Sequence, residues 1–403
     1  MVSGFVSDKN KTKAVQYKLS GHNSSALSSE TVPAGQTECR ENYGQMPHAM
    51  LKNTAQAEKY RAKPLTSQQT QTTMNTEANR KTEWVVGIGE ALWDILPEGR
   101  KIGGAPANFA YHMSQFGLRS CAVSAVGDDE AGRELRNQLR EKGVGHMLET
   151  VPFPTGTVEV TLDGAGIPSY EIRQGVAWDN IPFTPQIEEL ARHTRAACFG
   201  SLAQRSPVSH RTIGRFLETM PDGEGQYKVF DINLRQHFYT QQVVEESLRK
   251  CNILKINDEE LAVVGSMFGL EGMQPGEQCR TLLDRYGLRI VILTCGAAGS
   301  SVFAPDTRSY IPTPRVEVAD TVGAGDSFTA SFLAALLSGL GIGEAHRLAV
   351  DVAAHVCSQH GAMPRLPERF TARLRNDGPA IRSGRPGRTE WASRPGSPLP
   401  YPA

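Results

Sequence analysis

The stretch Asp320-Thr321-Val322-Gly323-Ala324-Gly325-Asp326-Ser327-Phe328 carries the sharpest local signal in the chain. Phe328, Phe332, Leu333, Leu336, Leu337 and Leu340 follow at helical spacing, which predicts a helix over 327–340 with the glycines at its N-terminus. Unpaired backbone N–H groups and the positive end of the helix dipole point outward there, so the loop suits an anion. The small residues Gly323, Ala324 and Gly325 let a phosphate come close to the backbone. A carboxylate beside a phosphate is electrostatically costly, so Asp326 needs another task, such as taking the proton of an attacking hydroxyl. An isolated Asp before Ser-Phe reads as a helix cap; the Gly-Ala-Gly ahead of it favours the catalytic reading.

The loop is not a P-loop, because G-x-x-x-x-G-K-[ST] occurs nowhere in the chain. Upstream, Trp84-Val85-Val86-Gly87-Ile88-Gly89 reads as a first core strand, and its glycines do not continue into a dinucleotide fingerprint. Strand-like runs then alternate with helical patterns: 122–126 with 130–142, 196–199 with 208–219, 228–232 with 242–250, 253–256 with 259–267, and 290–293 after a helix at 277–286. Such alternation means an α/β fold, a parallel sheet covered by helices on both faces. Residues 156–162 alternate with period two, turn at 163–166 and resume at 169–173, a β-hairpin outside the main alternation and a candidate lid over about 156–175.

Polar residues gather where such a fold places ligands, at the ends of strands. Gly89-Glu90-Ala91-Leu92-Trp93-Asp94 and Gly103-Gly104-Ala105-Pro106-Ala107-Asn108 follow the first strand, with Pro106 suited to a first helical turn and Asn108 in that turn. Asp94 and Asn108 offer a carboxylate and an amide, which suit the hydroxyls of a neutral polyol. Asp231-Ile232-Asn233-Leu234-Arg235, Lys255-Ile256-Asn257-Asp258-Glu259-Glu260 and Thr294-Cys295-Gly296-Ala297-Ala298-Gly299 each end a strand. Read alone, the clusters at 231–235 and 255–260 are more often caps or solvated helix starts than ligand sites.

Residues 320–328 resemble the C-terminal signature of the ribokinase-like (PfkB) carbohydrate kinases, and Gly-Gly-Ala-Pro-Ala-Asn resembles the N-terminal motif of the family's fructokinases. The resemblance covers about residues 84–367 and implies a ribokinase-like three-layer sandwich with a mostly parallel central sheet and a small β lid. It implies ATP-dependent phosphorylation of a primary sugar hydroxyl, D-fructose first, with Asp326 as base and Gly323, Ala324 and Gly325 stabilising phosphoryl charge. By the same resemblance Asp94, Gly104 and Asn108 bind sugar, joined by Asn233 and Arg235, and by Arg173 and Asp179 when the lid closes. Lys255, Asn257, Glu260, Thr294, Gly296, Gly299 and Thr321 belong to the ATP side, with Asn257 and Glu260 acting through water on Mg²⁺. A monovalent cation and a homodimer formed through the lid are expectations of the same kind. The alternatives are a ribokinase or 2-keto-3-deoxygluconate kinase, a non-catalytic sugar-binding regulator, and a nicotinamide oxidoreductase.

Composition agrees with a small-molecule enzyme. The 403 residues carry 43 basic and 43 acidic side chains, which argues against nucleic acid or an acidic membrane held by bulk charge. Seven dispersed cysteines without a C-x-x-C pair suit a reduced, cytoplasmic setting. Cys295 has no His or Asn partner in its motif, and His355 and His360 are poorly spaced for one helix face, so neither set is assigned chemistry. Residues 1–82 are polar and 371–403 are rich in Arg, Gly and Pro, so both are expected to be disordered tails around a kinase domain at 83–370. Met74 is a candidate alternative start of translation.

Overall fold

The computed structural model describes residues 83–96, 99–162 and 168–374. The expectations for 1–82, for the hairpin tip at 163–166 and for most of 371–403 lie outside the described residues. β1 (Trp84–Ile88) is buried along its length. β2 (Leu92–Leu96) and β3 (Gly99–Gly103) form an antiparallel pair, from which α1 (Ala105–Gln115) returns with Pro106 in its first turn. β4 (Ser120–Gly127), α2 (Glu130–Glu141) and β5 (Gly145–Val151) follow, then the hairpin β6 (Gly156–Leu162) and β7 (Pro168–Ile172). Next come α3 (Pro185–Arg192), β8 (Thr194–Phe199), α4 (Pro207–Thr219), β9 (Tyr227–Asp231), α5 (Gln241–Lys250), β10 (Ile253–Asn257), α6 (Asp258–Phe268), α7 (Pro275–Tyr286) and β11 (Ile290–Thr294). β12 (Ser300–Ala304), β13 (Thr307–Ile311), α8 (Ala324–Leu337), α9 (Ile342–Cys357) and α10 (Glu368–Thr371) complete the described chain.

Nine strands form the main sheet in the order β13-β12-β11-β10-β9-β8-β1-β4-β5. Only the β11–β12 and β12–β13 pairs are antiparallel. Side chains alternate between the faces as a strand requires. Val86, Ile88, Phe199, Phe230 and Leu254 pack into one apolar cluster with α4 and α5, while Val85, Cys198, Val229 and Ile253 join a second with α1, α8 and α9. The fold is therefore the ribokinase-like α/β sandwich. Among the described residues no helix is long and apolar enough to cross a membrane.

The structure departs from the sequence reading in three places. The lid sheet has four strands, β3-β2-β6-β7, and not just the hairpin, because the Leu92–Leu96 and Gly99–Gly103 segments pair with each other and with β6. The reading missed β2 because Leu92 and Trp93 are both buried in succession, breaking the two-residue period. α8 starts at Ala324, three residues ahead of the expected 327, since Gly323 at φ 78° serves as its N-cap. The folded chain also runs past 370: Phe370 is buried and Leu374 packs against the second cluster.

Candidate active site

Gly323 is required by its neighbours. A Cβ there would lie 2.6 Å from Ala362 Cα, and the left-handed backbone is one that side chains rarely adopt. Asp320 braces the loop by accepting from Val322 N–H and Gly361 N–H, each at 3.0 Å. From α1, His112 reaches the same place, its Nε2 lying 2.9 Å from the Ala362 carbonyl. Burial pulls the His112 proton affinity down to about 4, so the ring is neutral and donates from Nε2. The first turn of α8, whose N–H groups have no helical partner by construction, is thus clamped from outside.

Asp326 occupies that first turn and is partly exposed. Asn108 Nδ2, on α1, donates to its Oδ2 at 2.7 Å. Burial, then the nearby Asp231 charge, raises the Asp326 carboxyl to about 6, against the opposing pull of Asn108, Lys255 and Arg235. Pro106, Phe109, Cys198 and Phe199 form the apolar wall behind it, which explains the desolvation. A carboxylate with that proton affinity is suited to general-base work near neutral pH.

At the lid end, Gly103 and Gly104 let the lid and core approach. A Cβ on Gly103 would meet Asp94 Oδ2 at 2.3 Å, and one on Gly104 would meet the Glu90 carbonyl oxygen at 2.4 Å. Burial raises Asp94 to about 6, opposed by Arg235 and Lys101. Arg235 is exposed on the loop after β9 and pulls electrostatically on Glu90, Asp94 and Asp326 together. Asn233 holds that loop in a left-handed turn at φ 46°, a conformation asparagine tolerates better than most residues.

Toward the other edge, Lys255 Nζ lies 3.0 Å from Asp231 Oδ1, and a Cβ on Gly325 would sit 3.0 Å from the same Nζ. Burial works to lower the Lys255 proton affinity, but Asp231, Glu260 and Asp326 outweigh it and hold the ammonium charged. Thr329 Oγ1 donates to Asp231 Oδ2 at 3.0 Å, tying α8 to β9. Asn257 and Glu260 form a reciprocal capping box at the start of α6, at 2.8 and 2.9 Å. Glu260 Oε1 also accepts from Leu234 N–H at 3.0 Å, so this side chain braces the Asn233 loop, a role the sequence reading did not foresee. Thr294 pairs in register with Asn257, and Gly296 and Gly299 take positive φ in the exposed turn beyond it. Thr321 is exposed and its carbonyl accepts from Ala324 N–H.

Asp179 stands in a buried ion pair. It is 6% exposed, accepts from Gly175 N–H and Val176 N–H, and is held by Arg205 through Nε at 2.8 Å and Nη2 at 3.0 Å. Its carboxylate is taken up by these partners at the base of the lid. Arg173 follows β7 with an exposed side chain, and its carbonyl accepts from Arg205 Nη2 at 2.6 Å. Two residues near the base escaped the sequence reading. Glu90 was quoted only as part of its motif, although an acid directly after a strand-ending glycine was a usable signal; His112 stands one helical turn beyond Asn108, on the same face.

The sequence profile of the pfkB family carbohydrate kinases matches residues 98–369. The chain is 30% identical to a fructokinase of Klebsiella pneumoniae over 306 residues, covering 70% of this chain and 95% of the relative. It is 29% identical to a nucleoside kinase of Methanothermobacter thermautotrophicus over 283 residues, covering 67% and 84%. Among solved structures, an uncharacterised sugar kinase of Pyrococcus horikoshii in complex with ATP superimposes with a TM-score of 0.58 at 25% identity, over 69% of this chain and 94% of that one. A glycine-capped helix carrying Asp326, an α1 that delivers Asn108 to it and a profile match over most of the chain converge on one assignment: this chain belongs to the pfkB family of carbohydrate kinases.

Proposed function

We propose that the protein transfers the γ-phosphoryl group of ATP to a primary hydroxyl of a neutral sugar, D-fructose first. The observation that carries this reading is Asp326, set at the N-terminus of α8, held by Asn108 and raised by burial to about 6. Asp326 takes the hydroxyl proton while the sugar oxygen bonds to the γ-phosphorus and the bond from that phosphorus to the β–γ bridging oxygen breaks, leaving ADP. The N–H groups of Gly323 and Gly325, with that of Ala324 once it leaves the Thr321 carbonyl, are assigned to the phosphoryl charge, and Lys255 stands beside Gly325.

The residues present fit a magnesium nucleotide: glycines at a helix N-terminus for the phosphates, a buried lysine next to them, and Asn257 and Glu260 where the lysine's own strand passes into α6 for contacts through water. Magnesium, when bound, supplies neutralisation of phosphate charge. Thr294, Gly296, Gly299 and Thr321 line the side assigned to the rest of the nucleotide. Asp94, Gly104, Asn108, Asn233 and Arg235 are assigned to the sugar. Arg235 already acts on Glu90, Asp94 and Asp326 together, which favours a neutral polyol over a sugar acid.

A nucleoside is the second acceptor class, favoured by the similarity to the nucleoside kinase. The test is ADP release by the purified protein over fructose, ribose, glucose, tagatose, 2-keto-3-deoxygluconate and adenosine, with Asp326→Asn as control. Turnover on fructose that vanishes in the control is the expected result. Turnover on a different acceptor keeps the chemistry and replaces the substrate; a folded protein inert toward all of them defeats the reading.

A further inference from the structure

Glu90 lies between β1 and β2 and is 2% exposed. Its carboxylate accepts from its own N–H and from the N–H of Ala105, the first residue of α1. Its Oε2 is buried without a hydrogen-bond partner among the described residues, and so is Oδ1 of Asn108, one turn further along α1. The corner is tightly packed, as the clash of any Gly104 side chain with the Glu90 carbonyl shows. The charged groups that face Glu90 are Arg235, from the loop after β9, and Asp326, from α8. Asp326 is faced in turn by Asp231 and Lys255. At 2% exposure Glu90 cannot touch sugar or nucleotide, so any effect on the reaction passes through α1 and Asp326.

Resting on the kinase reading above, we propose that Glu90 is a positioning residue for the transfer step: it ties the first turn of α1 to the end of β1, keeps Asn108 on Asp326, and sets a second carboxyl beside the base. Burial pushes the Glu90 carboxyl up to about 7, so it changes charge near neutral pH. Once ionised, it repels a charged Asp326 and makes that group hold its proton more tightly, strengthening the base.

Glu90→Gln keeps the size of the side chain and an acceptor for Ala105 N–H while removing the charge. The expected result is an unchanged fold, KM values for sugar and ATP within about twofold, kcat lower by roughly three- to tenfold, and an acid limb of the pH profile moved down by about half a unit. Glu90→Ala also loses the tie to α1, and kcat falls roughly 10²-fold with KM little changed. A readout that needs no turnover is ¹³C NMR of protein labelled at glutamate Cδ. One resonance titrating near neutral pH, absent in Glu90→Gln and titrating lower in Asp326→Asn, supports the pairing even if no acceptor is phosphorylated, in which case only the kinase reading fails. A pH profile and kcat identical to wild type in Glu90→Gln, a loss confined to KM, or a Glu90 resonance indifferent to Asp326→Asn overturns the proposal.

Discussion

Asn108 and Asp326 stand 218 positions apart in the chain and meet in a hydrogen bond of 2.7 Å. α1, which carries Asn108, begins directly after β3 of the lid sheet, while α8 follows the glycine loop, so this bond connects the lid end of the site to the residue proposed as base. The bond favours the charged carboxylate. Asn108→Leu therefore raises the proton affinity of Asp326, moves the acid limb of kcat to higher pH and lowers kcat by roughly 10- to 100-fold. The measurement is a pH–rate profile of both proteins; a limb that moves to lower pH contradicts the assignment.

Asp326→Asn is expected to lose roughly 10²- to 10⁴-fold in turnover without losing stability. The folded-state value of about 6 lies above the ordinary aspartate value of 3.8, so the stability linked to this group is complete below 3.8 and is lost as pH rises through about 6. Replacing this ionised, partly desolvated carboxylate by an amide relieves that cost at pH 8. Denaturant unfolding at pH 8 checks it: the variant should be at least as stable as the wild type, and a clear drop would make Asp326 a structural residue.

Much of this arrangement was legible in the sequence, for reasons that differ by residue. The helix after Gly325 and the position of Asn108 behind Pro106 follow from local rules of helix start and apolar spacing, and both elements are found. The contact between them is a property of the sheet order, which no local pattern encodes. β2 was hidden because Leu92 and Trp93 are buried in succession, which breaks the alternation at its start. The ion pair of Asp179 was hidden because a carboxylate near a lid looks the same in sequence whether it faces a ligand or an arginine, and Arg205 lies 26 residues away.

Gly323→Ala is expected to abolish most activity while the protein still folds. The new Cβ would lie within 2.8 Å of three Ala362 atoms, so either the 323–326 loop or the 361–362 segment must shift. His112, held to the Ala362 carbonyl at 2.9 Å, resists movement on the far side, and the loop gives way. A displacement of about 1 Å at the phosphoryl site costs on the order of 10²-fold in kcat. His112→Ala releases the brace, so Gly323→Ala in that background should recover part of the lost kcat. Equal losses in both backgrounds would show that His112 does not restrain the loop.

Arg205 fastens the lid. Its guanidinium lies 4.0 Å from the Trp178 ring centroid and 4.5 Å from that of Phe238, while it holds Asp179 and the Arg173 carbonyl. Both ionic side chains are under a tenth exposed, so removing one partner leaves a buried charge unpaired. Arg205→Met should therefore cost about 3 kcal/mol or more in denaturant unfolding, and Arg205→Met with Asp179→Asn less than the sum of the two, by about 1 to 3 kcal/mol. The same variants separate the two roles considered for Asp179. If it serves only the lid, Asp179→Asn leaves the sugar KM of the Arg205→Met protein unchanged. A further rise of tenfold or more would return Asp179 to the sugar site, because once the arginine is gone no part of that loss can come from breaking the latch.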